Sequence, residues 1–295
     1  MEKAILKTLI YADIFDYPLK TYQIHKWLIG KQVSLRQVEE ALDRLNKKSK
    51  VKSKKGYFFL PGRNRLVTKR LSREKNSKSF FRRAKFTVWF IKFIPWIKLI
   101  GISGGVAVDN AEREDDIDLF IVTSKNRLWL SRILVISFLN YMGVRRKANM
   151  KPSQVAGKLC TNILVEEDKL EQTNQDIFVA HEVLQMKVLW SRGGVYKKYL
   201  EDNSWAFKFL PNWIGNRYIE YGISYIGKKQ KNLNTRYQIQ NTWFDYIEHL
   251  AKNLQLKIMG QPKGMERIQD GALYFHPNDI RPKVLAEYRS RIKNI

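Results

Sequence analysis

The sequence predicts an α+β protein in three parts: a small N-terminal domain (1–62), a central domain on a mixed sheet with flanking helices (63–190), and a helical C-terminal region (191–295). Three observations carry that expectation. Apolar residues recur at helical spacing through the first fifty positions and then give way to a two-strand signal. Two apolar runs of strand character flank a glycine pair at 104–105, and helical periodicity dominates after residue 176.

In the first domain Ile5, Leu6, Leu9 and Ile10 line one helix face, and Asp16-Tyr17-Pro18 ends that helix. Thr21 caps a second helix carrying Ile24, Trp27 and Leu28, closed by Gly30. Ser34 starts a third, in which Val38, Ala41, Leu42 and Leu45 share a face. Lys50-Val51-Lys52-Ser53 and Tyr57-Phe58-Phe59-Leu60, joined by Lys54-Lys55-Gly56, read as a hairpin. Three short helices and a hairpin make a winged helix-turn-helix, with Ser34 to Lys48 as the recognition helix. The same arrangement also serves protein docking, and the sequence leaves both uses open.

Charge points to the partner class. Lys and Arg number 54 against 28 Asp and Glu, a formal net charge of +26. That balance favours a polyanion: nucleic acid, nucleotide or an anionic membrane surface. Between Lys47 and Lys85 there are sixteen basic residues and one acid, Glu74. A solvated helix face would carry compensating Glu at i+4, so a phosphate-tracking surface is favoured. Lys52, Lys54, Lys55, Arg63, Arg65, Lys69 and Arg70 are the candidate nucleic-acid contacts. The run passes into an apolar helix, Phe86 to Ile94, stopped by Pro95. The basic, aromatic stretch Phe80 to Trp96 also suits an anionic membrane surface, a third and weaker reading.

One cysteine, Cys160, excludes an internal disulfide and a multi-cysteine zinc site, and in its apolar run it reads as a small core residue. No signal peptide is visible. Val88 to Ile102 and Leu128 to Val144 are short for membrane spans and are interrupted by Lys92, Pro95, Lys98 and Arg132. No transmembrane segment and a cytoplasmic location are therefore expected.

In the central domain Lys98 to Ser103 reads as a strand, Gly104-Gly105 as a tight turn and Val106 to Ala111 as the start of a short helix. Ile117 to Val122 is the second strand. Ser124 caps a helix over Leu128 to Tyr141, and Leu159 to Val165 is a third strand. Residues i and i+2 of a strand share a face, so Asp116 and Asp118 point together. Two carboxylates on one face need a positive partner, and a hard divalent cation carrying a phosphate chain supplies it.

Asp176 to Trp190, Glu201 to Leu210, Gln238 to Met259 and Lys283 to Ile292 read as helices. Trp205, Trp213, Tyr218, Tyr221 and Tyr225 make the last region aromatic-rich, mostly as core. His181-Glu182 followed by Gln185 lacks the second histidine of a zinc-protease motif, which leaves His181 as a packing residue and Lys187, on the same helix, as a phosphate candidate. His276-Pro277-Asn278-Asp279 reads as a turn with a helix cap. There is no P-loop and no dinucleotide fingerprint.

Ser103-Gly104-Gly105, ten residues, then Asp116-Ile117-Asp118-Leu119 resembles the DNA polymerase beta-like nucleotidyltransferase superfamily, over roughly residues 85 to 170. The resemblance implies a nucleotidyltransferase-type mixed sheet that binds a nucleoside triphosphate with Mg2+ (or Mn2+). It implies Ser103, Gly104, Gly105 and Asn110 at the nucleotide, and Asp116 and Asp118 as metal ligands and catalytic groups. The activity it implies is transfer of a nucleoside monophosphate to an acceptor hydroxyl, with RNA or another polyanion as acceptor. One element departs from the family pattern. Where many members carry a third carboxylate, the strand Lys158 to Glu166 offers Asn162, which can ligate only through a neutral oxygen and cannot act as a base. Glu166 and Glu167, just past it, are the substitutes in reach. The alternative is a catalytically silent nucleotidyltransferase fold that acts as a DNA/RNA-binding regulator.

Overall fold

The computed structural model describes residues 1–147, 150–213, 237–260, 267–275, 279–293 and 295. Tyr218, Tyr221, Tyr225 and the turn at 276–278 lie outside them. The N-terminal helices α1 (Glu2–Ile14), α2 (Thr21–Lys26) and α3 (Leu35–Lys47) enclose a core of Ile5, Leu9, Ile24, Leu28, Leu42 and Leu45, all fully buried. Truncating one of these, as in Leu42→Ala, removes about 2–5 kcal/mol. Ser34 begins α3 with a capping box: its hydroxyl accepts from Gln37 N, and the Gln37 side chain accepts from Ser34 N. The cap contributes about 1 kcal/mol. Thr21 is the first helical residue rather than a cap, because Lys20 precedes the helix and its N–H donates to Gln23 Oε1.

The hairpin β2 (Lys52–Lys54) and β3 (Tyr57–Phe59) gains a third strand that the sequence did not announce, β1 (Leu19–Lys20), in the order β1-β3-β2, all antiparallel. Lys55 and Gly56 both have positive φ, 52° and 75°, the backbone that a two-residue hairpin turn requires.

The basic run and the apolar run it passes into form one 26-residue helix, α4 (Leu66–Ile91), which ends at Ile91 rather than Ile94. No glycine or proline lies between its ends. Its inner face is lined by Arg70, Arg73 and Ser77 before Phe80, Ala84 and Val88, so hydropathy alone hides the first half. Arg70 is 1% exposed, stacks on Tyr17 at 4.3 Å and donates to Asp109 O. This corrects its assignment to nucleic-acid contact. Arg63 pairs with Asp13 and Asp16, and Lys69 with Asp16 and Glu112, but both side chains stay open to solvent. Lys52, Lys54, Lys55 and Arg65 are exposed.

The main sheet has six strands: β4 (Ile97–Ile102), β5 (Ile117–Thr123), β6 (Leu159–Glu166), β7 (Lys187–Ser191), β8 (Arg267–Gln269) and β9 (Ala272–Tyr274). Their order is β7-β4-β5-β6-β9-β8, and β5 with β6 is the parallel pair. The short α5 (Gly104–Ala107) lies between β4 and β5, and the connection from β5 to β6 runs through α6 (Leu128–Tyr141) and α7 (Pro152–Val155). Arg127, not Ser124, precedes α6. Two calculations from periodicity fail here. The helix expected over Asp176 to Trp190 ends at Gln185 as α8 (Ile177–Gln185), and Lys187–Ser191 pairs with β4 as an edge strand. Sheet pairing overrides a helical pattern that carries no breaker. The C-terminal region also lends the hairpin β8–β9 to β6. The remaining helices are α9 (Val195–Asp202), α10 (Ala206–Phe209), α11 (Tyr237–Met259) and α12 (Arg281–Ile292).

Helices cover both sheet faces, which gives β4 and β5 their continuous apolar character. Ile117, Leu119 and Ile121 face α4, α6 and α11, whereas Phe120 and Val122 face α8, α9, α10 and α12. Asp116 and Asp118 are in phase with Phe120 and therefore lie on the α8 side. No helix among the described residues is long and apolar enough to cross a membrane.

Candidate functional site

The turn between β4 and β5 brings the sequence-predicted residues together. Ser103 N–H donates to Asp118 O at 3.0 Å, which closes the β4–β5 ladder directly beneath the turn. Gly104 then takes a φ of +64°, and a Cβ there would lie 2.9 Å from Asp118 Oδ2. The position admits glycine on both counts of backbone and space. Gly105 is less constrained, since its nearest neighbours would sit at 3.5 Å.

Asp116, Asp118 and Cys160 each offer a ligand atom, all within 4.8 Å of one another. Asp116 Oδ2 is buried without a hydrogen bond, and Arg146 Nε stands 3.0 Å from it as an ion-pair partner. Burial pushes the Asp118 carboxyl up to about 8, reinforced by Asp116 and Glu182 and only partly opposed by Arg146. Burial likewise raises Asp116 against the pull of Arg146. Two carboxylates held against their preferred ionisation are a hard-oxygen pair suited to Mg2+ or Mn2+. The Cys160 thiol is pushed up to about 12, chiefly by burial, so it stays neutral and poorly matched to a hard cation.

Cys160, read as a plain core residue, is thus the β6 neighbour of Asp118, with which it is in register. Asn162 is not. The parallel register passes from Leu119↔Thr161 to Phe120↔Ile163, leaving Asn162 in a bulge that resets the alternation. Its side chain is buried, and its carbonyl accepts from Phe275 N. Glu166 lies opposite Thr123, at the other end of β5, and Glu167 beyond it, so neither substitutes for the missing acid. Asn110 donates to Phe15 O and accepts from Arg73, which ties the loop before β5 to α1 and α4 while the residue lines a pocket beside the glycines.

A further acid beside the pair comes from α8. Glu182 borders a cleft of about 640 Å³ together with Gly104 and Asp118, and Arg267 and Arg281 line the same cleft. It also borders a pocket of about 200 Å³ with Gly104 and Gly105. Burial pushes its carboxyl up to about 7. Asp176 positions the helix by capping Phe178 N and Val179 N, and it holds Arg281 at 2.7 Å. The only signal in the sequence was a glutamate at a buried helical phase. The adjoining His181 is a packing residue: its Nδ1 is hydrogen-bonded to Ile177 O, its ring stacks on Tyr11 at 4.2 Å, and burial pulls it down to about 4. Lys187 pairs with Asp109 and lines a different cavity, along β7.

Comparison with protein-family models, with curated proteins and with solved structures finds no match to this chain.

Proposed function

We propose that the chain is a metal-dependent nucleotidyltransferase that moves a nucleoside monophosphate from a nucleoside triphosphate to an acceptor hydroxyl, with RNA or another polyanion as acceptor. The observation that carries this reading is the paired Asp116 and Asp118 carboxylates beside Gly104, whose positive φ and close approach to Asp118 favour glycine, bordering a cleft that Arg267 and Arg281 also line. A divalent cation on that pair would neutralise phosphate charge and favour in-line attack on the α-phosphorus. Asp116 and Asp118 supply the hard ligands, and the Gly104-Gly105 backbone offers amides to the triphosphate. Arg267, its guanidinium 4.7 Å from the Tyr274 ring centre, balances the charge of the phosphates. Glu182 accepts the proton of the acceptor hydroxyl; the new bond forms from that oxygen to the α-phosphorus, and the bond to the β-phosphate breaks as pyrophosphate leaves. Residues 1–62 serve as a winged helix-turn-helix whose exposed Lys52, Lys54 and Lys55 meet the polyanionic acceptor.

The test is incubation of the full chain with each α-labelled triphosphate, Mg2+ or Mn2+, and RNA, DNA, protein or small-molecule acceptors. Metal-dependent label transfer that Asp118→Ala removes supports the reading. Absence of both transfer and triphosphate binding sinks it. A specific observation favours the second reading, a silent fold that binds nucleic acid: Arg146 already neutralises Asp116, and a neutral thiol stands beside Asp118. Under that reading RNA or DNA binding is tight, falls steeply with salt and is unchanged by Asp116→Ala.

A further inference from the structure

On the side of the sheet away from Asp118, the helix layer ends in an apolar surface. The last turns of α4 and the turn that follows it expose Phe86, Trp89, Phe90 and Phe93, at i, i+3, i+4 and i+7, with Phe93 66% exposed. They rest on one another edge to face, Trp89 and Phe90 at 4.8 Å and Trp89 and Phe93 at 5.5 Å. Phe90 continues the surface onto α6 by meeting Phe138 at 5.7 Å, one turn beyond the exposed Leu134. On α11, Trp243, Tyr246, Leu250, Leu254 and Ile258 form one outward stripe, with Ile258 74% exposed. The inner face of α11 is fixed to α6, where Glu248 accepts from Trp129 N and Leu130 N, and Gln255 donates to Trp129 O. The two exposed stripes are therefore held by helices of a single layer and point away from the sheet.

Exposed apolar surface on this scale marks an interaction site. Its chemistry selects the occupant. Aliphatic Leu134, Leu250, Leu254 and Ile258 offer nothing for bases to stack on, which argues against single-stranded nucleic acid. Two copies apposed through this face would bring Arg82, Lys85 and Lys92 against like charges. Trp and Tyr favour the headgroup region, aliphatic side chains enter the acyl boundary, and basic side chains reach anionic headgroups. Lys92 lies over both Trp89 and Phe93, at 5.4 and 5.1 Å, which places cation and aromatics together. Asp245, an exposed acid on α11, is neutralised by Arg127. We infer that the α4–α6–α11 face docks the protein on an anionic lipid bilayer, with the Asp118 cleft on the opposite side of the sheet and open to solution.

The experiment is flotation of the full chain with vesicles of phosphatidylcholine alone or with added phosphatidylglycerol, together with tryptophan fluorescence. The expected result is flotation with the anionic vesicles, weakened by salt and accompanied by a blue shift. The double variants Trp89→Ser/Phe93→Ser and Lys85→Glu/Lys92→Glu each weaken it, the charge reversal by at least roughly tenfold. Trp89, Phe93 and Lys85 are exposed and Lys92 is half-buried outside the core, so melting shifts little, and the charge variant keeps the apolar side chains in place. The inference is overturned by no flotation with anionic vesicles, or by flotation that both variants retain. It is also overturned if the wild-type chain is a dimer that Trp89→Ser/Phe93→Ser converts to a monomer.

Discussion

The two faces of the six-stranded sheet are unsatisfied in opposite ways. On the α8 side the chain buries charge: Asp116, Asp118 and Glu182 all titrate above their ordinary range, and Arg146 supplies only part of the compensation. On the α4–α6–α11 side the inner packing is complete, and the uncompensated feature is apolar surface left outside. Buried charge and exposed aromatic surface each raise the free energy of the free protein, and each is relieved by a different class of ligand. Neutralising a buried acid on the α8 side therefore trades activity against stability, while substitutions on the outer face change binding alone.

The largest effect is expected at Asp118. Asp118→Asn drops label transfer by at least about 10³-fold, as loss of a positioned charge in a closed site does. It also raises the melting temperature near neutral pH. An acid whose folded pKa of about 8 lies above its unfolded value binds a proton on folding, so its penalty grows as pH rises between the two values. Thermal melts at pH 5 and pH 8 check the sign: the gain from Asp118→Asn is larger at pH 8. Loss of stability along with activity in Asp118→Asn would break the comparison.

Next is Gly104→Val. Positive φ and the approach to Asp118 Oδ2 combine, so denaturant titration should show a loss of about 1–3 kcal/mol, accompanied by loss of triphosphate binding. Gly105→Ala has room and is expected to retain both. Glu182→Gln is smaller in rate, roughly 10²-fold for a lost general base. Transfer by the wild type should rise with pH up to about 7, where Glu182 becomes ionised, and the variant should lack that limb. A pH profile unchanged by Glu182→Gln would remove Glu182 from the chemistry. Least is expected on the outer face, where Trp89→Ser shifts stability by under about 0.5 kcal/mol in the same titration.

The paired acids and the glycine turn were legible in sequence because both are local: alternation along one strand sets Asp116 with Asp118, and Gly104 follows from a turn. The first three helices were legible too, since Val38, Ala41, Leu42 and Leu45 mark α3 directly. What escaped depends on contacts between distant segments. The register sets Cys160 rather than Asn162 beside Asp118, and the bulge at Asn162 breaks the alternation beyond it, neither of which counting by twos along one strand can foresee. Lys187–Ser191 became a strand only through β4, and Glu182 reached the cleft only through the packing of α8. Arg70 lay in a basic run that read as a phosphate-tracking surface, yet Tyr17 and the Asp109 carbonyl receive it inside the protein.

The central claim is that Asp116 and Asp118 hold a divalent cation together with a nucleoside triphosphate. Electron paramagnetic resonance of Mn2+ titrated into the full chain, with and without a non-hydrolysable triphosphate, tests it most directly. The account predicts Mn2+ binding that the triphosphate tightens and that Asp116→Asn/Asp118→Asn abolishes. Mn2+ binding that is absent with the triphosphate, or that survives the double substitution, would contradict it.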